Sequence, residues 1–216
     1  MQSSLEISHE GRIARFVVEG ATENVQDSLE AVRASSDAAV VVLEIGAIAG
    51  TAGSFDWIER FELPVICAFE TAMQGAAAEF ALACDIRMCG EDASITPPTA
   101  SAARLRRLLR DPRALDRAVR GETFTSGEAL DCGLVSKVTA AGHAAGEAMR
   151  MAGVMATRGP IALRLGKEAI WRGLAMPLEQ GLRFETDLTL LLQTTKDRAE
   201  GVRAFMEKRE PRFTGD

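Results

Sequence analysis

This sequence predicts an α/β protein with an all-helical C-terminal third, and three observations predict it. Short β-branched or alternating runs bounded by turn residues interleave with helical segments through the first two thirds of the chain. From Ala144 onward only helical spacing is present. Between them, Pro64 to Arg87 (PVICAFETAMQGAAAEFALACDIR) reads as a buried apolar strand running through a turn into an alanine-rich helix that carries one acid, Glu79.

Taken in order, residues 4–19 alternate apolar and polar around Gly11 and predict a β-hairpin. Residues 23–34 place Val25, Leu29 and Val32 at helical spacing. Ala38 to Ile45, AAVVVLEI, is a continuous β-branched run and reads as a core strand. Gly46 to Gly53 is small and flexible and reads as a loop, and Phe55 to Phe61 as a short helix ended before Pro64. After the strand and helix of the opening, 85–89 and 93–96 read as strands, the second stopped by Pro97-Pro98. Residues 103–109 and 114–119 are helical. Thr125-Ser-Gly-Glu128 fits a capping box for a helix closing at Gly133. Residues 134–138 read as a last short strand, followed by helices over 144–157, 160–172, 177–193 and 197–208. The expected division is a core over 1–143 and a helical region over 144–216.

Composition narrows the function classes. Of 216 residues 47% are hydrophobic and 26% charged, values of a soluble globular protein, and the net charge of −6 argues against a nucleic-acid scaffold. The arginines at 104, 106, 107, 110 and 113 form the sharpest charge feature: a solvated helix face, or a landing strip for phosphates or an acidic carrier protein. Cys67, Cys84, Cys89 and Cys132 lie in apolar segments without metal-ligand spacing and read as buried free thiols; no metal site is expected. His9 and His143 lack partners at a telling spacing and read as surface residues. The N-terminus has no apolar signal core and no run is long enough to cross a bilayer, so a cytoplasmic location is expected.

The chemistry concentrates at the start of the alanine-rich helix. The first N–H groups of a helix have no internal partner, and the helix dipole puts its positive end there. Those donors suit an oxygen that acquires negative charge, and Glu79, one turn further on, suits acid–base work. Its bland alternative is an acid in a first turn. Asp85 reads as a structural turn residue, and Asp56 as an exposed one.

MQGAAAEFALACDIR resembles the signature of the crotonase (enoyl-CoA hydratase/isomerase) superfamily, in which a glycine triplet precedes an acid and the ending ALACDIR. GETFTSGEALDCGLVSKV and DRAEGVRAFMEKREPRFTG resemble two further blocks of that family, in the right order. The resemblance implies a crotonase-like ββα spiral with a C-terminal helical trimerisation region, assembled as a homotrimer or hexamer. It implies chemistry on an acyl thioester, whose enolate oxygen is held by two backbone N–H groups; one such donor is worth about 3–4 kcal/mol. Residue by residue, it places one donor at Ala76, flanked by Gly75 and Ala77, and the other at Ala49 or Gly50. Glu79 matches the first of the hydratases' two glutamates, and Thr99 falls where the second is expected. Phe205 and Lys208 match positions that reach the coenzyme A of a neighbouring subunit.

The loop after AAVVVLEI is shorter than the family's, which fits an acyl group carried on a phosphopantetheine arm as well as on coenzyme A. The implied function is isomerisation or hydration/dehydration of an enoyl thioester in fatty acid or polyketide metabolism. The thioester serves as substrate and no resident cofactor is expected. The substrate partner is an acyl-CoA or an acyl-carrier protein, with no nucleic acid and no membrane. Two alternatives stand beside it: a catalytically weak partner subunit of another enzyme, and a decarboxylase or hydrolase of the same superfamily.

Overall fold

The computed structural model describes residues 4–20, 24–35, 37–48, 55–109 and 111–216. The chain forms two units, residues 1–61 with 65–152, and residues 62–64 with 153–216.

The first unit is built on a six-stranded sheet. β1 (Ser4–Glu10) and β2 (Ile13–Gly20) form the antiparallel hairpin, turned by Gly11 at φ 58°. β3 (Val40–Ile48), β4 (Val65–Phe69), β6 (Ile86–Gly90) and β9 (Lys137–Thr139) then add parallel strands, in the order β1-β2-β3-β4-β6-β9. Residues 40–43 and 65–69 are buried throughout, which is why these strands read as unbroken apolar runs rather than alternating ones. A smaller sheet joins β5 (Ala72–Met73), β7 (Ser94–Ile95) and β8 (Phe124–Thr125).

Helix α1 (Val25–Ser35) buries Val25, Leu29 and Val32, the residues its spacing picks out. Short helices follow: α2 (Asp56–Arg60), α3 (Gly75–Ala83), α4 (Ala102–Leu108), α5 (Pro112–Val119) and α6 (Ser126–Cys132). Thr125 and Glu128 make the reciprocal capping box, and Gly133 closes α6 at φ 85°. Helix α7 (Ala144–Ala156) turns Ala144, Ala148 and Ala152 inward. Its first turn is capped by Glu70, whose two carboxylate oxygens accept from the N–H groups of Gly142 (3.0 Å) and Ala144 (2.7 Å).

Two expectations are corrected. Gly46, Ala47 and Ile48 continue β3 instead of opening a loop, because pairing with β2 resumes at Gly20–Ile48 after a register shift. Backbone pairing there overrides the weak strand preference of glycine and alanine. The strand after Gly133 starts only at Lys137. Leu134 and Val135 are instead buried, with the Leu134 carbonyl accepting from the Arg87 guanidinium at 2.6 Å.

The second unit holds α8 (Pro160–Gly173), α9 (Leu178–Gln193) and α10 (Lys196–Glu207). Helices α8 and α9 pack together, and the Lys167 ammonium on α8 donates to the Leu63 carbonyl at 3.0 Å. Residues 208–216 fold back along α10. The buried carboxylate of Asp197 accepts from the N–H groups of Thr214 (2.7 Å) and Gly215 (3.0 Å), and Lys196 N–H donates to the Asp216 carbonyl at 2.9 Å.

Candidate active site

The local sequence explains why a helix begins at Gly75. β4 is buried on both faces and leads through β5 to Gln74, whose extended backbone (φ −140°, ψ 156°) ends the strand conformation. Gly75 then takes φ 53°, a left-handed value that favours glycine. Space is not the reason for the glycine, because a Cβ at that position would meet no atom within 4 Å. The first helical hydrogen bonds arrive at Ala77 and Ala78, whose N–H groups donate to the Gln74 carbonyl at 3.1 and 3.4 Å. The amides of Gly75 and Ala76 therefore precede the helical ladder, at the positive end of the dipole.

Glu79 sits one turn along α3 and is 9% exposed. Its Oε2 atom is fully buried and has no hydrogen-bond partner. A buried carboxylate oxygen without a donor disfavours the charged form, and burial is the main cause that raises the Glu79 pKa above its ordinary value. Such a group is suited to hold a proton and hand it on. The helix behind it is firmly seated. Phe80 lies edge-on to Phe55 at 5.1 Å between ring centres, with Trp57 at 6.4 Å.

Gly75, Ala76, Ala77 and Glu79 are thus brought together on one short helix. Ala49 and Gly50, the expected positions of the other oxyanion donor, lie outside the described residues, as does Arg110. Thr99 is exposed at the start of a 3₁₀ turn (Thr99–Ser101) that leads into α4. Phe205 and Lys208 belong to the second unit. Phe205 is 85% exposed on α10, and Lys208 caps that helix in the left-handed conformation at φ 56°.

Arg104 departs from the exposed basic strip expected around it. Its side chain is 9% exposed and holds Asp56 at 3.0 Å and Glu59 through a short ion pair. Arg106, Arg107 and Arg113 remain exposed. A signal for this was present: Asp56 and Glu59 are one helical turn apart on one face, a fork shaped for a guanidinium. Ser101 also escaped notice. Its hydroxyl is buried without a partner and makes no cap bond to α4.

Other polar groups have structural work. Asp85 accepts from Val65 N–H, and Arg87 spans the Leu134 and Cys84 carbonyls. Cys67, Cys84 and Cys89 are buried free thiols, while Cys132 is half-buried. Burial pushes the Cys84 thiol well up, and Cys89 up to about 11, so neither is a thiolate nucleophile at neutral pH. His9 and His143 are exposed. Among the described residues no group of His, Cys, Asp or Glu is disposed to hold a metal, and no helix is long and apolar enough to cross a membrane.

The strand-to-helix turn thus leaves two amides ahead of the helical ladder, with a buried carboxyl one turn further on, and comparison with known proteins supplies the family. Residues 50–216 match the enoyl-CoA hydratase/isomerase family model, and this chain belongs to that family, within the crotonase superfamily. A protein of Arabidopsis thaliana named "Probable enoyl-CoA hydratase 2, mitochondrial" is 36% identical over 171 residues, 75% of this chain and 57% of its own length. The 2,3-dehydroadipyl-CoA hydratase of Escherichia coli is 34% identical over 167 residues, 73% of this chain and 66% of its own. The matched stretch therefore spans less than two thirds of these relatives. An enoyl-CoA hydratase structure from Polaromonas sp. JS666 superposes with a TM-score of 0.86 at 26% identity, covering 97% of this chain and 99% of that one. One from Bacillus anthracis gives 0.83 at 25% identity, over 98% and 99% of the two chains. The fold is the α/β crotonase fold with C-terminal helices.

Proposed function

We propose that this chain isomerises the double bond of an enoyl thioester, using Glu79 as the single acid–base group and the Ala76 amide as an oxyanion donor. The observation that carries this is the partnerless, buried Oε2 of Glu79, three residues from an amide that precedes the helical ladder. Removing an α or γ proton from an enoyl thioester moves charge onto the thioester oxygen, and a fixed N–H already aimed there needs no reorganisation. As the carboxylate, Glu79 takes the proton from one carbon and, as the carboxylic acid so formed, returns it to the other, so the carboxylate is regenerated and nothing else is consumed. A second oxyanion donor from Ala49 or Gly50 completes the reading, as does thioester binding beside Gly75 and Ala77. The substrate is carried on coenzyme A or on a carrier protein.

Hydration is the second reading, favoured by the hydratase names of the relatives, with the Thr99 hydroxyl holding the water that a second glutamate would otherwise hold. Self-association through the helical unit is supported by its surface. Ten of the thirteen large apolar side chains exposed among the described residues belong to that unit, including Leu178, Phe205 and Met206. Such a surface fits a trimer that buries it, with Phe205 and Lys208 carried toward a neighbour's substrate.

The test is turnover of 3-enoyl-CoA, crotonyl-CoA and their carrier-bound counterparts by the native protein and by Glu79→Gln. Isomerisation lost in the variant supports the first reading, and water addition supports the second. No turnover of any thioester overturns both and favours a partner-subunit role.

A further inference from the structure

We propose that the outer face of α4, centred on Arg106 and Arg107 and continued by Arg113 of α5, is where an acidic acyl-carrier protein docks to present its thioester. The thioester it delivers rests on the proposed role of Glu79; the pairing of charges across the face does not.

The face is built by the helical repeat. Leu105 on α4 and Leu109 at its cap are buried on the inner side, which turns Ala103, Arg106 and Arg107 outward, and all three are exposed. Ala103 lies one turn before both arginines, so the ground beside the guanidiniums is low enough for a partner helix to come close. Helix α5 packs on α4 and adds Arg113, whose side chain is 92% exposed and has only Asp111, at 3.5 Å, for a counter-charge.

The neighbouring arginines are spent within the fold. Arg104 holds Asp56 and Glu59, Arg117 holds Glu122 and Glu128, and Arg120 holds Asp116 and Glu122. Arg106 and Arg107 hold no carboxylate among the described residues. No acid occurs between Asp92 and Asp111, although acids outnumber lysines and arginines 31 to 25 in the chain. An unanswered basic face on an acidic protein draws an acidic macromolecule from solution and sets its orientation. Guanidiniums spread over two helices suit carboxylates on successive turns of a partner helix better than they suit one compact diphosphate.

The face also stands on the way to the candidate site. Arg104, one turn before Arg107, grips α2 through Asp56 and Glu59. Phe55, at the N-cap of α2, and Trp57, on that helix, pack against Phe80, the residue next to Glu79 on α3. A carrier seated on α4 is thus separated from the helix of the acid by one packed element, and its flexible phosphopantetheine arm supplies the remaining span.

The experiment titrates a fluorescently labelled holo-acyl-carrier protein of fatty acid synthesis with the full chain, read by anisotropy, and measures coenzyme A binding alongside by calorimetry. It compares native protein with Arg106→Glu/Arg107→Glu and with Arg113→Glu. Carrier affinity is expected to weaken about tenfold or more in the double variant and by a smaller factor in Arg113→Glu. In native protein it should weaken with added salt, and a carrier whose surface acids are changed to lysine should prefer the double variant. Coenzyme A affinity should not follow the carrier's. Equal losses for carrier and coenzyme A overturn the proposal by assigning the arginines to phosphates. Carrier binding that is absent, or unmoved by the variants, overturns it too. If melting shows that the double variant does not fold, Arg113→Glu decides alone, because its side chain is almost wholly in solvent. Charge-dependent carrier binding without turnover of any thioester would uphold the docking face and sink the proposed reaction; turnover of coenzyme A thioesters without carrier binding would do the reverse.

Discussion

Asp85 and Val65 hold one another twice. The Asp85 carboxylate accepts from Val65 N–H at 2.8 Å, and Asp85 N–H donates to the Val65 carbonyl at 3.0 Å. This pairing locks the first residue of β4 to the turn that leaves α3, so both ends of the strand–helix unit carrying Glu79 are fixed. Asp85→Ala leaves the Val65 amide without its acceptor. It is expected to destabilise the protein by about 1–3 kcal/mol in denaturant unfolding. A loss indistinguishable from zero would show that the pair merely accompanies the fold.

Gly90 is glycine because of Glu70. A Cβ on residue 90 would stand 2.0 Å from the Glu70 carboxylate that caps α7. Gly90→Ala must therefore push that carboxylate off the Gly142 and Ala144 amides, at a cost of about 1–2 kcal/mol. The same substitution in a Glu70→Ala background should cost much less, and a double-mutant cycle measures the difference.

Two glutamates should respond to pH with opposite signs. In the unfolded chain both release a proton near 4.5. Burial, opposed by Arg104, leaves Glu79 with a raised value in the fold, so folding binds extra proton and stability falls as pH climbs above 4.5 toward the folded midpoint. Glu79→Gln should accordingly melt higher than native at neutral pH and equal to it in acid. Glu147, bonded to Arg150 and Lys137, is lowered to about 2. Its stabilisation is complete above 4.5 and is lost as pH falls toward 2. Glu147→Gln should melt lower than native at neutral pH, with the gap closing in strong acid. Melting curves across this range check both signs.

Ser101→Ala should be nearly free. The hydroxyl is buried, unbonded and idle as a cap, so its removal discards a desolvated group and no hydrogen bond. Stability within about 0.5 kcal/mol of native, or above it, is expected. A loss beyond 1 kcal/mol, set against the roughly 0.5–2 kcal/mol typical of a lost cap, would mean the hydroxyl has a partner in solution, such as bound water.

The sequence spoke clearly wherever local chemistry decides structure. The hairpin around Gly11, the Thr125–Glu128 capping box and the helix after Gln74 depend on turn, cap and dipole rules that act within a few residues. Glu79 stood out because it is the one acid in an apolar helix. What stayed hidden was decided by distant parts of the chain. Gly46 to Ile48 extend a strand because β2 offers them partners. Arg104 looked like one of a surface series until Asp56 and Glu59, 48 and 45 residues earlier, drew it inward. Ser101 likewise gives no local sign that its hydroxyl ends up enclosed.

The stitched C-terminal tail has a consequence for anyone handling this molecule. Asp197 lies in the interior with its charge answered by two amides that belong to Thr214 and Gly215. Clipping those final residues, by protease or by design, would strand an anion in a dry environment and unzip α10 from its own end.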